Sequence, residues 1–364
     1  MRILFFLDFP GVRDYRIFQA IREARPDWDL KILQRFPGIR TELSGLAAPY
    51  PVHDTLFSRT PARLWRLVNN LTSGRLLADR LALLARDADW VYTQNFEFLG
   101  RAALHLRNIS VAHDVSDFFS VFPHGQSGLN PFVRRRIQAR WEKRIFERAS
   151  IVTFNSPEMV EHARRKYSLG GAPIFIPNGY PKSLVPTGRL PKLSASDGRR
   201  HIAFVGHLDE RKLEPLVRLA ALGNDVHAYT HSQQILENCQ RAGVPGLTLY
   251  PPLENRRLAE VLSQYDYGIV PWLEGAKEEF FQLSLPGKLF DYLAAGLPVL
   301  VRPFRALRNF VDRWQCGLVI EDWQQARDLP PARSFTTPPE AWKMSFHIAP
   351  LIEAFESVRP SAPR

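Results

Sequence analysis

A glycine and several basic residues follow one apolar run of this sequence. The run Ile202–Val205 ends at Gly206, and His207, Arg211 and Lys212 come within the next six positions. Glycine lets a backbone approach a ligand closely, and the start of a helix offers free N–H groups and the positive end of its dipole to an anion. The segment therefore predicts a phosphate site. An ordinary strand-to-helix turn with a solvated basic pair explains it equally well.

A lysine and an aspartate stand three residues apart at the start of a second predicted helix. Ser284 can cap this helix and Pro286 suits its first turn, so Lys288 and Asp291 share one face near the N-terminus. Such a cation and carboxylate could together hold a phosphate and a ribose diol. Taken alone, the segment is explained more simply by one ion pair within a helix.

Three titratable residues follow an apolar run in the first half of the chain. His113, Asp114 and Asp117 come directly after Ile109–Ala112. Ligands of parallel sheets bind at the carboxyl ends of the strands, so these residues are candidates for acid–base chemistry or for binding sugar hydroxyls. An inverting enzyme would use Asp114 or Asp117 as the base, and a retaining one could use His113 to bind a donor hydroxyl. The alternative is helix capping by the aspartates beside a half-buried histidine.

The elements that position these residues alternate along the whole chain. Short runs that are apolar on both faces predict buried parallel strands, and the amphipathic segments between them predict covering helices. The predicted strands are 3–7, 30–33, 90–92, 109–112, 151–154 and 174–176, then 201–205, 226–229, 247–250, 268–270, 299–301 and 318–320. The fold class is therefore α/β, with two doubly wound Rossmann-like domains that face a cleft.

A segment rich in Pro, Gly and Ser separates the two series. It predicts a linker at 179–200, after a first domain at 1–178 and before a second at 201–340. Residues 341–364 would include a terminal helix, at Trp342–Ser357, that crosses back to the first domain.

Composition restricts the partners. The chain has 364 residues, 45% of them hydrophobic, and 48 Lys and Arg residues against 37 Asp and Glu give a net charge of +11. An anionic partner is expected. No aromatic–basic motif, zinc finger or helix-turn-helix spacing supports nucleic acid. The chain has two cysteines, and neither has zinc-ligand spacing, which favours a cytoplasmic protein without a bound metal. It has no stretch of 18 apolar residues, so we expect no membrane-spanning helix.

The second domain resembles the donor domain of GT-B glycosyltransferases, and most closely that of retaining family 4. The resemblance lies in the segments 205–212 and 288–299, and it is supported by 153–158 with 176–180, by 250–271 and by 316–320. These segments are collinear and cover most of residues 150–322. The first 150 residues match in pattern only.

This resemblance implies that a nucleotide-diphosphate sugar binds to the second domain. Carried over, Lys212 contacts the diphosphate, Asp291 contacts the ribose, and Lys288 adds a phosphate contact. His207 stands where the family commonly has arginine, and Leu283 stands where it often has a glutamate, eight residues before the ribose carboxylate. Donor-binding candidates are thus Gly206, His207, Arg211, Lys212, Ser284, Lys288 and Asp291.

A basic helix is predicted over Pro131–Arg148. Val133, Ile137, Trp141 and Ile145 form an i, i+4 stripe expected to face the domain. The bases Arg136, Arg140, Lys143 and Arg144 suit docking to anionic lipid headgroups. A solvated charged helix is the alternative.

The expected function is transfer of a sugar from a nucleotide-diphosphate sugar, in a UDP-linked form, to a membrane-associated or polysaccharide-precursor acceptor. We expect retention of configuration, no cofactor and no metal, at the inner face of the membrane. Partners would be the donor, a lipid-linked or glycan acceptor and an anionic surface. The alternatives are a non-catalytic GT-B-like nucleotide- or glycan-binding scaffold, and a GT-B epimerase or phosphorylase.

Overall fold

The protein was analysed as a computed structural model that describes residues 1–7, 11–34, 52–55, 75–94, 99–107, 109–121, 131–271 and 278–357. The chain divides into two compact units. The N-terminal unit holds the described residues up to Pro177 together with those from Met344 onwards, and the C-terminal unit holds Asn178–Lys343. Each unit contains its own parallel sheet.

The N-terminal sheet has seven strands in the order β3-β2-β1-β4-β5-β6-β7. These are β1 Arg2–Leu7, β2 Asp29–Gln34, β3 Val52–Thr55, β4 Trp90–Gln94, β5 Ser110–Val115, β6 Ile151–Phe154 and β7 Pro173–Phe175. The helices are α1 Val12–Ala24, α2 Arg75–Leu84, α3 Leu99–Ala103, α4 Pro131–Arg148 and α5 Pro157–Lys166. β1, β4 and β5 are central and almost wholly buried, as their two-sided apolar runs predict.

The C-terminal sheet has six strands in the order β10-β9-β8-β11-β12-β13. These are β8 His201–Val205, β9 Asp225–Tyr229, β10 Leu247–Tyr250, β11 Tyr267–Val270, β12 Val299–Val301 and β13 Gly317–Val319. The helices are α6 Ser194–Asp197, α7 Glu210–Ala221, α8 Gln233–Ala242, α9 Asn255–Leu262, α10 Glu278–Phe281, α11 Gly287–Ala294, α12 Arg305–Trp314 and α13 Pro339–Trp342. The doubly wound α/β fold class is confirmed.

The segment that the sequence marks as a linker is packed against the C-terminal unit. The backbone N–H of Leu190 donates to Ser263 at 2.8 Å, and the Ser194 hydroxyl donates to Asp266 at 2.7 Å. The residues from 178 to 200 therefore belong structurally to the second unit.

The last helix, α14 Ala349–Ser357, belongs to the N-terminal unit. Its Phe355 packs edge-on against Trp90, with 5.0 Å between ring centroids, and also contacts Trp28. The predicted helix over 342–357 is interrupted, because Pro350 suits only the first turn of a new helix. No helix among the described residues is long and apolar enough to span a bilayer.

The predicted apolar stripe of α4 is wrong in its first half. Trp141 and Ile145 are buried, but Val133 and Ile137 are 44% and 42% exposed. Each i, i+4 step advances about 40° around a helix, so three steps turn the stripe by about 120°. Val133 and Ile145 therefore cannot face the same neighbours, and α4 packs on the domain through its C-terminal half.

Candidate functional site

The turn after β8 is shaped by a glycine that no other residue replaces easily. Gly206 has φ of +118°, a region that residues with a side chain rarely adopt. A Cβ atom there would lie 3.3 Å from the Nζ atom of Lys288. The backbone of the turn and the lysine ammonium therefore lie side by side at the carboxyl end of β8.

Lys288 lies in the first turn of α11, and its charge is poorly compensated. Its Nζ atom lies 4.1 Å from the centre of the Phe204 ring. Burial, together with the nearby charge of Lys212, lowers the pKa of Lys288 from 10.5 to about 7, and Asp291 and Asp209 oppose this only partly. An anion bound beside Gly206 would favour the charged form of Lys288.

Lys212 is held by its own loop. Its Nζ atom donates to the His207 carbonyl and to the Asp209 carboxylate, both at 3.1 Å. Asp209 also caps α7, because its other oxygen accepts from the backbone N–H of Lys212 at 3.0 Å. The start of α7 thus combines a helix N-terminus with a lysine and a carboxylate that partly neutralises it.

The other two basic candidates of this loop are exposed. His207 lies 3.2 Å from the Ser232 hydroxyl through Nδ1 and stacks on His231, and burial and the charge of Lys212 lower its pKa. Arg211 is exposed on the first turn of α7. Among the predicted cations, Lys288 and Lys212 are therefore the ones built into the turn.

Asp291 is positioned by a residue far away in the sequence. It is 8% exposed, and its Oδ1 accepts from the hydroxyl of the buried Tyr180 at 2.9 Å. Asn178 donates to the Leu285 carbonyl at 3.1 Å, just before α11. Ser284 is buried, but the N-cap position belongs to Pro286, so Ser284 does not cap α11 as predicted.

The buried side chain of Tyr292 holds the end of β8 in place through two hydrogen bonds. Its hydroxyl accepts from the backbone N–H of Val205 at 3.1 Å and donates to the Ile269 carbonyl at 3.0 Å. A Cβ atom on Gly268 would lie 2.1 Å from the Tyr292 ring, so this glycine makes room for the tyrosine. The position of Gly206 thus rests on a buried side chain rather than on the loop itself.

In the N-terminal unit, the dominant charged contact is a buried ion pair. Arg13 is 8% exposed and donates to both oxygens of Asp114, each at 2.7 Å, and to the Ile176 carbonyl at 2.9 Å. Thr153 donates to the same carboxylate at 2.5 Å. Both oxygens of Asp114 therefore accept hydrogen bonds from buried side chains.

His113 and Asp114 lie inside β5, and not beyond its end as predicted. Adjacent residues of a strand point to opposite faces. His113 therefore lies apart from the ion pair: its Nδ1 is 2.8 Å from the Thr93 hydroxyl, and burial lowers its pKa to about 4. The imidazole is neutral at pH 7. Together with Asp114, Asp117 and Glu142 it lines a gap too small to hold a water molecule.

A further group of polar side chains lies near the ends of β4, β5 and β6. Gln94, Ser116 and Asn155 come from these strand ends, and Asp14 reaches Gln94 from α1. Asp14 is fully buried, and burial raises its pKa to about 7 although the Gly11 N–H donates to it at 2.7 Å. In the amide orientation that satisfies both neighbours, Gln94 donates to Asp14 at 2.9 and 3.0 Å and accepts from Ser116 at 2.9 Å. Asn155 donates to the Ser116 carbonyl at 2.8 Å.

The sequence did not predict the buried contacts of Gln94, Ser116, Glu142 and Tyr180. Gln94 and Ser116 each stand at or directly after a strand end, which is a usable signal. Glu142 gives no such signal, because it lies on α4 as one acid among many bases. It is 1% exposed and accepts from the Ser120 N–H at 3.0 Å and the Tyr167 hydroxyl at 2.7 Å.

The four bases predicted to contact a membrane are exposed on α4. Arg136, Arg140, Lys143 and Arg144 lie within an arc of about 140° that also contains Phe132, Val133 and Ile137. Phe132 is 60% exposed, and the Arg136 guanidinium lies 4.4 Å from its ring centre. This face thus combines exposed apolar side chains with cations.

Residues 14–179 match the glycosyl transferase 4-like domain family. The chain is also 25% identical over 201 residues to the putative teichuronic acid biosynthesis glycosyltransferase TuaH of Bacillus subtilis, an alignment that covers 52% of this chain and 49% of TuaH. The chain therefore spans about half the length of this curated relative.

Solved structures share the fold over nearly the whole chain. WaaG, a glycosyltransferase involved in lipopolysaccharide biosynthesis, has a TM-score of 0.65 at 14% identity over 97% of this chain and 98% of its own. The sucrose-phosphate synthase of Thermosynechococcus elongatus has a TM-score of 0.63 at 16% identity, covering 99% and 95%. A putative UDP-N-acetylglucosamine 2-epimerase of Listeria monocytogenes has 0.60 at 12%, covering 98% and 96%.

Proposed function

We propose that the chain is a GT-B glycosyltransferase of the family 4 type, which transfers a sugar from a nucleotide-diphosphate sugar, UDP-linked, to a membrane-associated or polysaccharide-precursor acceptor. The family match, the curated relative and the shared fold support this proposal. The observation that carries the donor assignment is the Gly206 turn. Bare backbone, the Lys288 ammonium and the N-terminus of α7 lie together there.

The diphosphate binds beside Gly206, with Lys288 and Lys212 as its cations. Lys288 gains its full charge when the anion arrives, and Lys212 exchanges the Asp209 carboxylate for a phosphate oxygen. Asp291, held by Tyr180, accepts from a ribose hydroxyl. As the diphosphate leaves, fixed lysines and a helix dipole neutralise its developing charge, so this proposal includes no metal in the transfer step.

We propose retention of configuration. Inversion needs a general base that deprotonates the acceptor. Asp114 is occupied by Arg13 and Thr153, and burial lowers the pKa of His113 to about 4, which makes it a weak base. The neutral His113 is suited to a hydrogen bond with a sugar hydroxyl rather than to carrying charge. Anomeric analysis of the product by NMR tests this: an inverted product would transfer the catalytic role to Asp117.

Calorimetric titration with UDP, GDP and ADP, followed by a donor-sugar screen, tests the donor assignment. We expect UDP to bind most tightly and Lys212→Ala and Asp291→Ala each to weaken it, while Arg218→Ala on the same unit serves as the control. Variants that bind like the parent would reject the site. Nucleotide binding without turnover on any acceptor would favour a non-catalytic scaffold. This alternative is suggested by His207 and Leu283, which stand where the family commonly has an arginine and often has a glutamate.

We further propose that the exposed face of α4 docks on an anionic membrane, where the acceptor resides. Its cations attract anionic headgroups, at about 1 kcal/mol for each base near the surface. Phe132, Val133 and Ile137 are exposed apolar side chains on the same face, of the kind that enters the interface of a bilayer.

Flotation with vesicles of phosphatidylcholine, with and without phosphatidylglycerol, tests this docking. Binding should need the anionic lipid and should be lost in Arg136→Glu/Arg140→Glu, but not in the matched reversal Arg164→Glu/Arg165→Glu on α5. Phe132→Ala should weaken binding more than Leu83→Ala, which removes a side chain of 63% exposure on α2. Equal, negligible flotation with both vesicles would overturn the proposal.

A further inference from the structure

Three ligand-type side chains converge at the end of the C-terminal sheet opposite to Gly206. They are Asp197, His201 and Asp225, and one side-chain ligand atom of each lies within 4.8 Å of the other two. His201 and Asp225 are the first residues of β8 and β9 and are direct register partners. Side chains at paired positions of adjacent parallel strands share one face of the sheet, which brings the imidazole and the carboxylate together.

Asp197 reaches the same place through a tight turn. It ends α6 and is followed by Gly198, whose φ of +70° reverses the chain, so the carboxylate faces His201 four residues later. Both oxygens of Asp197 lie 3.1 Å from Nε2 of His201. The His201 side chain is 6% exposed, whereas that of Asp197 is 42% exposed. The group thus opens to solvent on the aspartate side.

A second histidine orients the first. Nδ1 of His201 lies 2.9 Å from Nε2 of His227, and Nδ1 of His227 lies 3.3 Å from the Tyr250 hydroxyl. One proton is shared in the first contact. When His201 supplies it, the lone pair on its Nε2 faces two carboxylates. Backing of a ligating histidine by a hydrogen-bonded partner at its other nitrogen is the usual arrangement around protein-bound metals.

We propose that Asp197, His201 and Asp225 bind a divalent first-row cation, Zn²⁺ foremost, with water completing its coordination. One imidazole and two carboxylates are ligands that Zn²⁺ accepts at about 2.0–2.2 Å. The site joins α6 to the starts of β8 and β9, so the cation stabilises the C-terminal unit and takes no part in sugar transfer. Two contacts from Arg199 oppose the cation. Its side chain pairs with Asp225 at 2.7 Å but is 57% exposed and can turn into solvent, and its backbone N–H donates to one oxygen of Asp197 at 2.9 Å, which leaves the other oxygen for the cation.

Chelator-treated full-length protein is titrated with Zn²⁺ and with Co²⁺, and the thermal midpoint and the visible Co²⁺ spectrum are recorded. We expect Zn²⁺ to raise the midpoint. Asp197→Asn, at an exposed position that does not threaten folding, should weaken Zn²⁺ binding at least tenfold, as should Asp225→Asn. Arg199→Ala removes the competing cation and should tighten binding severalfold.

The pair His207 and His231, which lies at the other end of the same sheet with 5.3 Å between ring centres, is the alternative place for an added metal. His231→Ala should therefore leave the Zn²⁺ effect intact. Loss of the effect in His231→Ala with retention in Asp197→Asn would overturn the proposal, as would a wild-type protein that shows neither a midpoint shift nor a Co²⁺ spectrum. In that case Asp197 and His201 form only a surface hydrogen-bonded pair.

Discussion

The two units arrange the charged residues of their candidate sites in opposite ways. In the N-terminal unit, the buried charges of Arg13 and Asp114 satisfy each other through two contacts of 2.7 Å. In the C-terminal unit, Lys288 lies beside Lys212 and a glycine backbone, and burial and that second cation depress its pKa. Arg13 and Asp114 neutralise each other, so this pair is suited to a structural role. The charge of Lys288 is only partly compensated by nearby carboxylates, so this cation is suited to binding an anion.

The largest expected effect tests the first half of this contrast. Arg13→Met leaves Asp114 buried without its partner, and breaking a buried pair from one side costs about 3–5 kcal/mol. We expect this loss in the free energy of unfolding, measured by urea denaturation. Arg13→Met/Asp114→Asn should recover much of it. A single variant as stable as the parent would show that Asp114 finds another neutralising group.

The next effect concerns Asp14, which is buried near the same pair. Burial disfavours the carboxylate and raises its pKa from the ordinary value of 3.8 to about 7, while the N–H groups of Gly11 and Gln94 that donate to it act in the opposite direction. The folded state therefore holds this proton more tightly than the unfolded state, and stability is lost as the pH rises from about 4 to about 7. Asp14→Asn removes this loss and should be more stable than the parent at pH 8, by an amount on the order of a few kcal/mol.

Urea denaturation of both proteins at pH 5, 6, 7 and 8 measures the effect. The advantage of the variant should grow with pH up to about 7 and then level off. The exposed Asp79→Asn serves as the control and should show no such trend. A constant difference across this range would mean that Asp14 is ionised throughout.

Lys288 tests the second half of the contrast. Lys288→Met should leave stability unchanged or raised, because the ammonium is disfavoured where it lies, but it should weaken UDP binding about 10- to 100-fold. In the parent, UDP affinity should fall as the pH rises above about 7 and Lys288 loses its proton. The variant should lack this part of the pH dependence, and Lys182→Met should retain it. Calorimetry from pH 6 to 8.5 checks both.

Much of the fold could be predicted because burial on both faces leaves a local signal. Every predicted strand agrees with the structure to within a few residues. Strand β3 was missed because Val52–Thr55 contains a single apolar residue. The predicted stripe on α4 failed for a geometric reason, namely the drift of an i, i+4 series around a helix. The local pattern of apolar residues was sufficient to predict the strands. It was not sufficient to predict which face of a helix is buried.

The same distinction applies to the candidate site: its residues could be predicted from short segments, but the contacts that position them could not. Gly206, Lys288 and Asp291 could be recognised because short segments carry them. The contacts that position them could not, since Tyr180 and Asp291 are 111 residues apart and Arg13 and Asp114 are 101 apart. A single sequence does not encode such pairings in any local pattern.

The smallest expected effect contrasts the two units through one type of substitution. Asp209→Asn keeps the cap on α7, because an asparagine oxygen accepts from the Lys212 N–H as well as a carboxylate does. It removes a negative charge that lies 3.1 Å from the Lys212 ammonium and is 42% exposed. Such exposed pairs are worth about 0–1 kcal/mol, so UDP should bind roughly two- to fivefold more tightly with little change in stability.

Asp114→Asn is the matched change in the N-terminal unit, and we expect the opposite result from it. There the lost charge leaves Arg13 buried without its counterion, so stability falls while UDP affinity is unaffected. Calorimetry and urea denaturation of both variants give the comparison. If Asp209→Asn weakened UDP binding, Asp209 would be holding Lys212 in the orientation that the diphosphate needs. In both units a carboxylate would then position a cation, and the contrast between them would be wrong.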